Sequence, residues 1–204
     1  MALADLTFKL YNDSGLTSLF TGTLNITHET DLSDNPQDFQ LWFGSTETGR
    51  QLEATSNPGV DQITLTTTDG IADWQATTAY LVGDVIEPTT PNTFAYVCTT
   101  AGTSAGSEPT FPTVGIGSTV VDGTVVWSLR GKRHETTEIK LALTAAGLPG
   151  ATAGAALDIG ATLSSLSGNA IEVNIRVTNA VATVSNTTGV PDLTLNINEV
   201  EETE

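Results

Sequence analysis

Short runs of alternating apolar and polar side chains recur along this chain. Leu6, Phe8 and Leu10 alternate with Thr7 and Lys9, and Leu24 and Ile26 with Asn25 and Thr27. Phe39, Leu41 and Phe43 enclose Gln40 and Trp42, and Ile63 and Leu65 alternate with Thr64 and Thr66. The pattern returns at Ile139, Leu141 and Leu143, at Ile171, Val173, Ile175 and Val177, and at Leu193, Leu195 and Ile197. A period of two turns one side of an extended strand to a core and the other to water. Turn-forming residues punctuate the runs: Asn12-Asp13-Ser14-Gly15, Asn57-Pro58-Gly59, Ser167-Gly168-Asn169 and Gly189-Val190-Pro191-Asp192. The expected fold is all-β, an antiparallel β-sandwich. Immunoglobulin-like and jelly-roll strand orders both predict this pattern.

Helical periodicity is almost absent. The Ala- and Gly-rich stretch from Thr144 to Gly160 contains Gly147, Pro149, Gly150 and Gly154, which oppose a continuous helix. It reads as a compact loop with one short turn near Leu148, leading into a strand from Ala156 to Leu163.

The segment from Asp69 to Gly131 has a different texture. It holds Trp74, Tyr80, Tyr96 and Trp127, which are two of the three Trp and two of the three Tyr, together with Pro88, Pro91, Pro109 and Pro112. Strand-like runs flank it at 61–68 and 136–144, and excision would let the two meet as a hairpin. Hairpin tips tolerate insertions because few buried contacts are disturbed. The expected organisation is a sandwich body, 1–69 with 131–204, carrying an inserted aromatic-rich β-module at 70–130. A module this small needs large rings to fill its core. The same rings, if exposed in a groove, could stack on sugars. Trp74, Tyr80, Tyr96 and Trp127 are therefore candidates for either module core or glycan binding.

Composition narrows the function. Twenty-four acidic against seven basic side chains give a net charge of −17. So negative a surface repels nucleic acid and anionic lipid. Only 15% of residues are charged, and 36 Thr supply much of the remaining polarity and favour extended backbone. No run approaches the ~20 apolar residues of a membrane span. The opening MALADLTFKLY lacks the basic-then-apolar order of a signal peptide, so synthesis in a cytoplasm is expected. Cys98 is the single cysteine, which excludes an internal disulfide, and its strand-like FAYVCT setting predicts a buried, inert thiol.

Two charge features stand out. Glu199, Glu201, Glu202 and Glu204 read as a solvated acidic tail. Arg130, Lys132, Arg133 and Lys140, four of the seven basic residues, gather where the module rejoins the body. They read either as a solvated junction or as a docking patch for an acidic neighbour, such as the tail of another copy.

Catalytic chemistry finds little support. His28 and His134 are the only histidines, and no G-x-S-x-G elbow is present. Asp31, Asp34 and Asp38 are loosely spaced like calcium ligands, but Pro36 and the missing central Gly depart from an EF-hand. At most a weak surface cation site is expected there, and Asp73, Asp84 and Asp122 have the same standing as surface carboxylates. The glycines punctuate turns and do not join a strand to a helix, so no phosphate loop is expected. The expected protein is non-enzymatic, with no catalytic residues, no cofactor and no metal.

The run Trp74-x5-Tyr80-x2-Gly83-Asp84-Val85, with the aromatic strand that follows, resembles the small carbohydrate-binding module of chitinases. Extended through Gly117-Ser118-Thr119-Val120-x-Asp122-Gly123-Thr124-Val125-x-Trp127, it resembles a module that recurs in phage virion and tail proteins. The stretches at 38–65, 137–148 and 154–177 are similar to small virion proteins of tailed bacteriophages. The resemblance implies a capsid decoration or cement protein on the outer head surface. Its implied partners are the major capsid protein and further copies of itself in a trimer or dimer. The alternative it implies is a tail, baseplate or fibre component that binds host-surface glycan through the 70–130 module.

Overall fold

A computed structural model describes residues 6–22, 24, 36–178 and 193–204. The chain is nearly all β, built of antiparallel sheets. One layer of the body is a four-stranded sheet of β1 (Lys9–Tyr11), β2 (Gln37–Gly44), β15 (Ile171–Val177) and β12 (Ile139–Ala142), in that order. Its centre is the seven-residue β2–β15 ladder, which sets Leu41 opposite Val173 and Phe39 opposite Ile175.

The second layer consists of three strands, each broken once. β13 (Leu157–Gly160), β4 (Ile63–Asp69) and β16 (Leu193–Ile197) pair at one end. β14 (Thr162–Ser164), β3 (Gln51–Ala54) and β17 (Val200–Thr203) pair at the other. The Asn198 N–H donates to Thr64 O (3.1 Å) and the Thr55 N–H to Glu199 O (3.1 Å), so the ladder carries across the break. The strand expected at 156–163 is interrupted at Gly160, whose φ of +128° only glycine adopts without strain.

Leu41, Phe43, Val173, Ile175, Val177, Ile139 and Leu141 from the first layer pack on Leu52, Ile63, Leu65, Ile159, Leu163 and Val200 from the second. The alternation read from sequence thus sorts into an inner and an outer face. On the outer face Arg176 lies opposite Asp38 and donates to both its carboxylate oxygens (2.7 Å each). Leu143 is the exception, 44% exposed just past the end of β12. The compact loop after β12 forms a 3-10 turn at Ala145–Gly150 with Leu148 buried, started by the Thr144 hydroxyl accepting from the Gly147 N–H.

Among the described residues the body strands run, in chain order, one, two, six, four in the first layer and five, three, seven in the second, and from β2 onward each strand is followed by one of the opposite layer. This corrects the hairpin expected across the insertion: β4 and β12 lie in opposite layers, because β4 pairs with β13 and β16 while β12 pairs with β15. The ends of the module are still side by side, since Arg133 forms an ion pair with Asp69.

The acidic tail is also corrected. Val200–Thr203 is a strand of the body, with Glu202 accepting from the Thr7 N–H (2.7 Å) and Arg50 3.0 Å from Glu204. The reading of Leu24 and Ile26 as strand, together with His28, Asp31, Asp34 and the turn at 189–192, falls wholly or partly outside the described residues.

Candidate functional site

The intervening segment builds its own five-stranded sheet. β10 (Thr119–Asp122), β11 (Val125–Lys132), β8 (Phe94–Thr100), β7 (Val85–Glu87) and β5 (Ala72–Asp73) lie in that order. A small pair, β6 (Ala79–Tyr80) with β9 (Gly102–Thr103), closes over it. β11 runs to Lys132, which pairs with Phe94, so the module's last strand ends two residues beyond 130. Its core is Trp74, Tyr80, Ile86, Tyr96, Cys98, Phe111, Val125, Trp127 and Leu129, and shares no residue with the core of the body.

Alternation on β8 and β11 explains that core. Tyr96 and Cys98 on β8 face Trp127 and Leu129 on β11, and the residues between them point the other way. Tyr80 meets Trp127 edge to face with ring centres 4.8 Å apart, and Tyr96 lies 4.4 Å from Phe111. Burial raises the Tyr80 and Tyr96 phenols and the Cys98 thiol above their ordinary values. Each polar tip has a partner. Tyr80 Oη accepts from the Gln75 N–H (2.9 Å), and Tyr96 Oη donates to Pro112 O (2.9 Å) and accepts from Asn92 (2.9 Å).

The centre of this network is Asp122. It is 2% exposed. Its Oδ2 accepts from Trp74 Nε1 (2.8 Å) and Trp127 Nε1 (2.9 Å), and its Oδ1 from the Ala105 N–H (2.8 Å). A buried carboxylate is tolerated where its lone pairs are filled this way. One side chain therefore fixes both indoles and the loop across them. The expectation of a surface carboxylate at Asp122 is thus corrected. Sequence offered no local signal for it: Asp122 stands just before the Gly123-Thr124 turn, and its side chain reaches Trp127 on the strand that follows. Gly123 at φ +61° occupies the first central position of that two-residue turn. Asp84 instead holds a turn, accepting from the Leu81 N–H (2.7 Å), and Asp73 is exposed on β5.

Trp74 is 6%, Tyr80 9%, Tyr96 0% and Trp127 0% exposed. The quartet that sequence left between core and glycan binding is module core, and its ring faces are covered by one another and by neighbouring apolar side chains.

Module and body meet at a second buried polar cluster. Arg133 is 5% exposed and faces three carboxylates. It pairs with Asp69 at the end of β4, lies 2.8 Å from Glu87 Oε2 on β7 in off-line geometry, and lies 3.6 Å from Glu135. Its N–H donates to Thr93 O (3.1 Å). Glu87 is 4% exposed. Burial pushes its carboxyl up to about 7, partly opposed by Arg133 and reinforced by Asp69 and Asp73. Ile71, Val85 and Ala95 pack beside this cluster as a small separate apolar group.

The proposed docking patch does not survive as a patch. Arg133 is buried among carboxylates, Arg130 is half-buried, and Lys140 Nζ donates to Pro149 O (3.2 Å) on the outer face of the first layer. Lys132 alone of the four is exposed. Sequence clustering misled because Gly131, Lys132 and Arg133 alternate in direction as β11 ends. His134 Nδ1 is 2.7 Å from Glu138, and Asp38 is occupied by Arg176, which holds its carboxyl below the ordinary range. No grouping of three or more metal-ligating side chains occurs among the described residues.

No protein family matches the chain, and no curated protein or solved structure is detectably similar to it.

Proposed function

We propose that this chain is a non-enzymatic structural protein of a tailed-bacteriophage particle, a capsid decoration or cement protein. It binds the outer head surface through contacts with the major capsid protein. The observation that carries the reading is the way the chain uses its chemical side chains. Buried carboxylates, a buried guanidinium and the module's large rings are consumed in holding the fold together, as in Asp122 between two indoles within the module and Arg133 between module and body. A scaffold of this kind suits a protein whose task is to hold a shape on a lattice. The net charge of −17 supports it further, because like-charged particle exteriors repel one another in suspension.

The tail, baseplate or fibre alternative relies on glycan stacking in the 70–130 module. Burial of Trp74, Tyr80, Tyr96 and Trp127 withdraws the rings that such stacking needs.

Localisation tests the reading. Electron cryomicroscopy of particles with and without the protein should place its density on the head exterior. Head shells lacking it should burst at lower temperature. Density confined to the tail, with heads unaffected, would reject the proposal in favour of the alternative.

A further inference from the structure

Exposed strand edges invite pairing with other chains, and proteins blunt them with charge, bends or covering segments. Among the described residues, most of the sheet edges are blunted. β1 is covered by Ser18–Phe20, where the Phe20 N–H donates to Leu10 O (2.9 Å) and Leu19 bridges Tyr11. β12 is met by Gly154, whose N–H donates to Ile139 O (2.8 Å). β13 and β14 bend at Gly160 and carry exposed Asp158. β16 and β17 break at Asn198–Glu199 and carry Glu201 and Glu202. β5 is two residues long with exposed Asp73.

β10 is different. Pairing with β11 begins before it, because the Gly117 N–H donates to Leu129 O and the Leu129 N–H to Ser118 O (2.8 Å each). The edge is therefore six residues long, Gly117–Asp122. On its other side no strand pairs with it among the described residues. No charged residue occurs from Pro109 to Val121, and the Asp122 side chain is turned into the core. Val121 is 69% exposed, and Val114 and Ile116 in the preceding loop are 78% and 61% exposed.

We infer that this β10 edge is a self-association surface, which pairs antiparallel with β10 of a second copy about a two-fold axis. Charge selects the occupant. Two chains of −17 repel over most of their surfaces, so identical copies approach at least cost where both surfaces are uncharged. A two-fold axis is the symmetry by which one antiparallel edge pairs with itself. The pair extends the module's sheet across both copies and covers Val121 and Ile116 on each. This inference stands independently of the virion reading.

Sedimentation velocity of the whole chain, from about 1 to about 100 μM, tests it. The expected result is a concentration-dependent dimer. Val121→Lys should weaken association at least about tenfold. Ile116→Lys, in a loop and so without demands on strand geometry, should do the same. Leu81→Lys replaces an equally exposed side chain (71%) on a turn away from β10 and should leave the dimer unchanged. A monomer at every concentration overturns the inference. So does a dimer that both β10-edge variants retain, or one that Leu81→Lys weakens as much as they do.

Discussion

At the scale of single residues, the chain places its two consequential acids inside. Asp122 satisfies three donors, two of them buried indole N–H groups. Removing an acceptor from buried donors costs their desolvation, about 1–3 kcal/mol for each lost contact of this kind, with incomplete additivity. Asp122→Ala should therefore lower unfolding stability by about 3 kcal/mol, read as a lower urea midpoint by tryptophan fluorescence. Glu87 gives a test in the opposite sense. The folded chain keeps its proton up to about pH 7, whereas an unfolded glutamate releases it near 4.5. Stability contributed by this group is complete below pH 4.5 and is lost as pH rises to about 7. Glu87→Gln should leave stability unchanged at pH 4.5 and raise it at pH 8, by an amount on the order of 2 kcal/mol. Thermal unfolding at the two pH values checks this, and an equal effect at both would refute the assignment. Neither role was legible in sequence. Carboxylates are abundant in this chain, and nothing local distinguishes an acid that will meet two indoles 5 and 48 residues away from one that will meet water. The four rings of the module were legible as a group, because a small unit has few places to put them except its own core.

At the scale of elements, strands were legible and their pairing was not. Phe39-Leu41-Phe43 and Val173-Ile175-Val177 declare an inward face by alternation alone, and they do form the central ladder. Partner choice depends on which layer a strand joins, and alternation is the same in both. That is why two flanking runs that look like a hairpin, 63–69 and 139–142, belong to opposite sheets. The bend in the second layer was not legible. Gly160 sits inside a run that reads as one strand, and it turns β13 out of the line of β14. A Cβ there would lie 3.2 Å from Leu163 Cδ2 in a backbone region that side chains avoid. Gly160→Ala should cost about 1–2 kcal/mol, a larger effect than the same change at open Gly168. The surface pair Arg176–Asp38 offers the contrasting case. Despite good geometry its partners are partly in water, with Asp38 46% exposed, so Arg176→Ala should leave the urea midpoint nearly unchanged.

At the scale of the whole molecule, two apolar cores with no residue in common are joined through Arg133 and its carboxylates. Replacing 71–131 by a short Gly/Ser linker, with Asp69 and Arg133 retained, should leave the body folded. Far-UV circular dichroism with a cooperative melt would check it. A linker that lets the body melt without cooperativity would mean that the body needs the module for its fold. The difference between the two units also sets an order of events during synthesis. Every strand partner of the module lies between residues 72 and 132, so it can close as soon as that stretch leaves the ribosome. The body's second layer awaits residues 193–203, which flank β3 and β4. Its distant pairings are slow to form. The nascent chain therefore carries a finished module, tethering β4, well before its sandwich can shut.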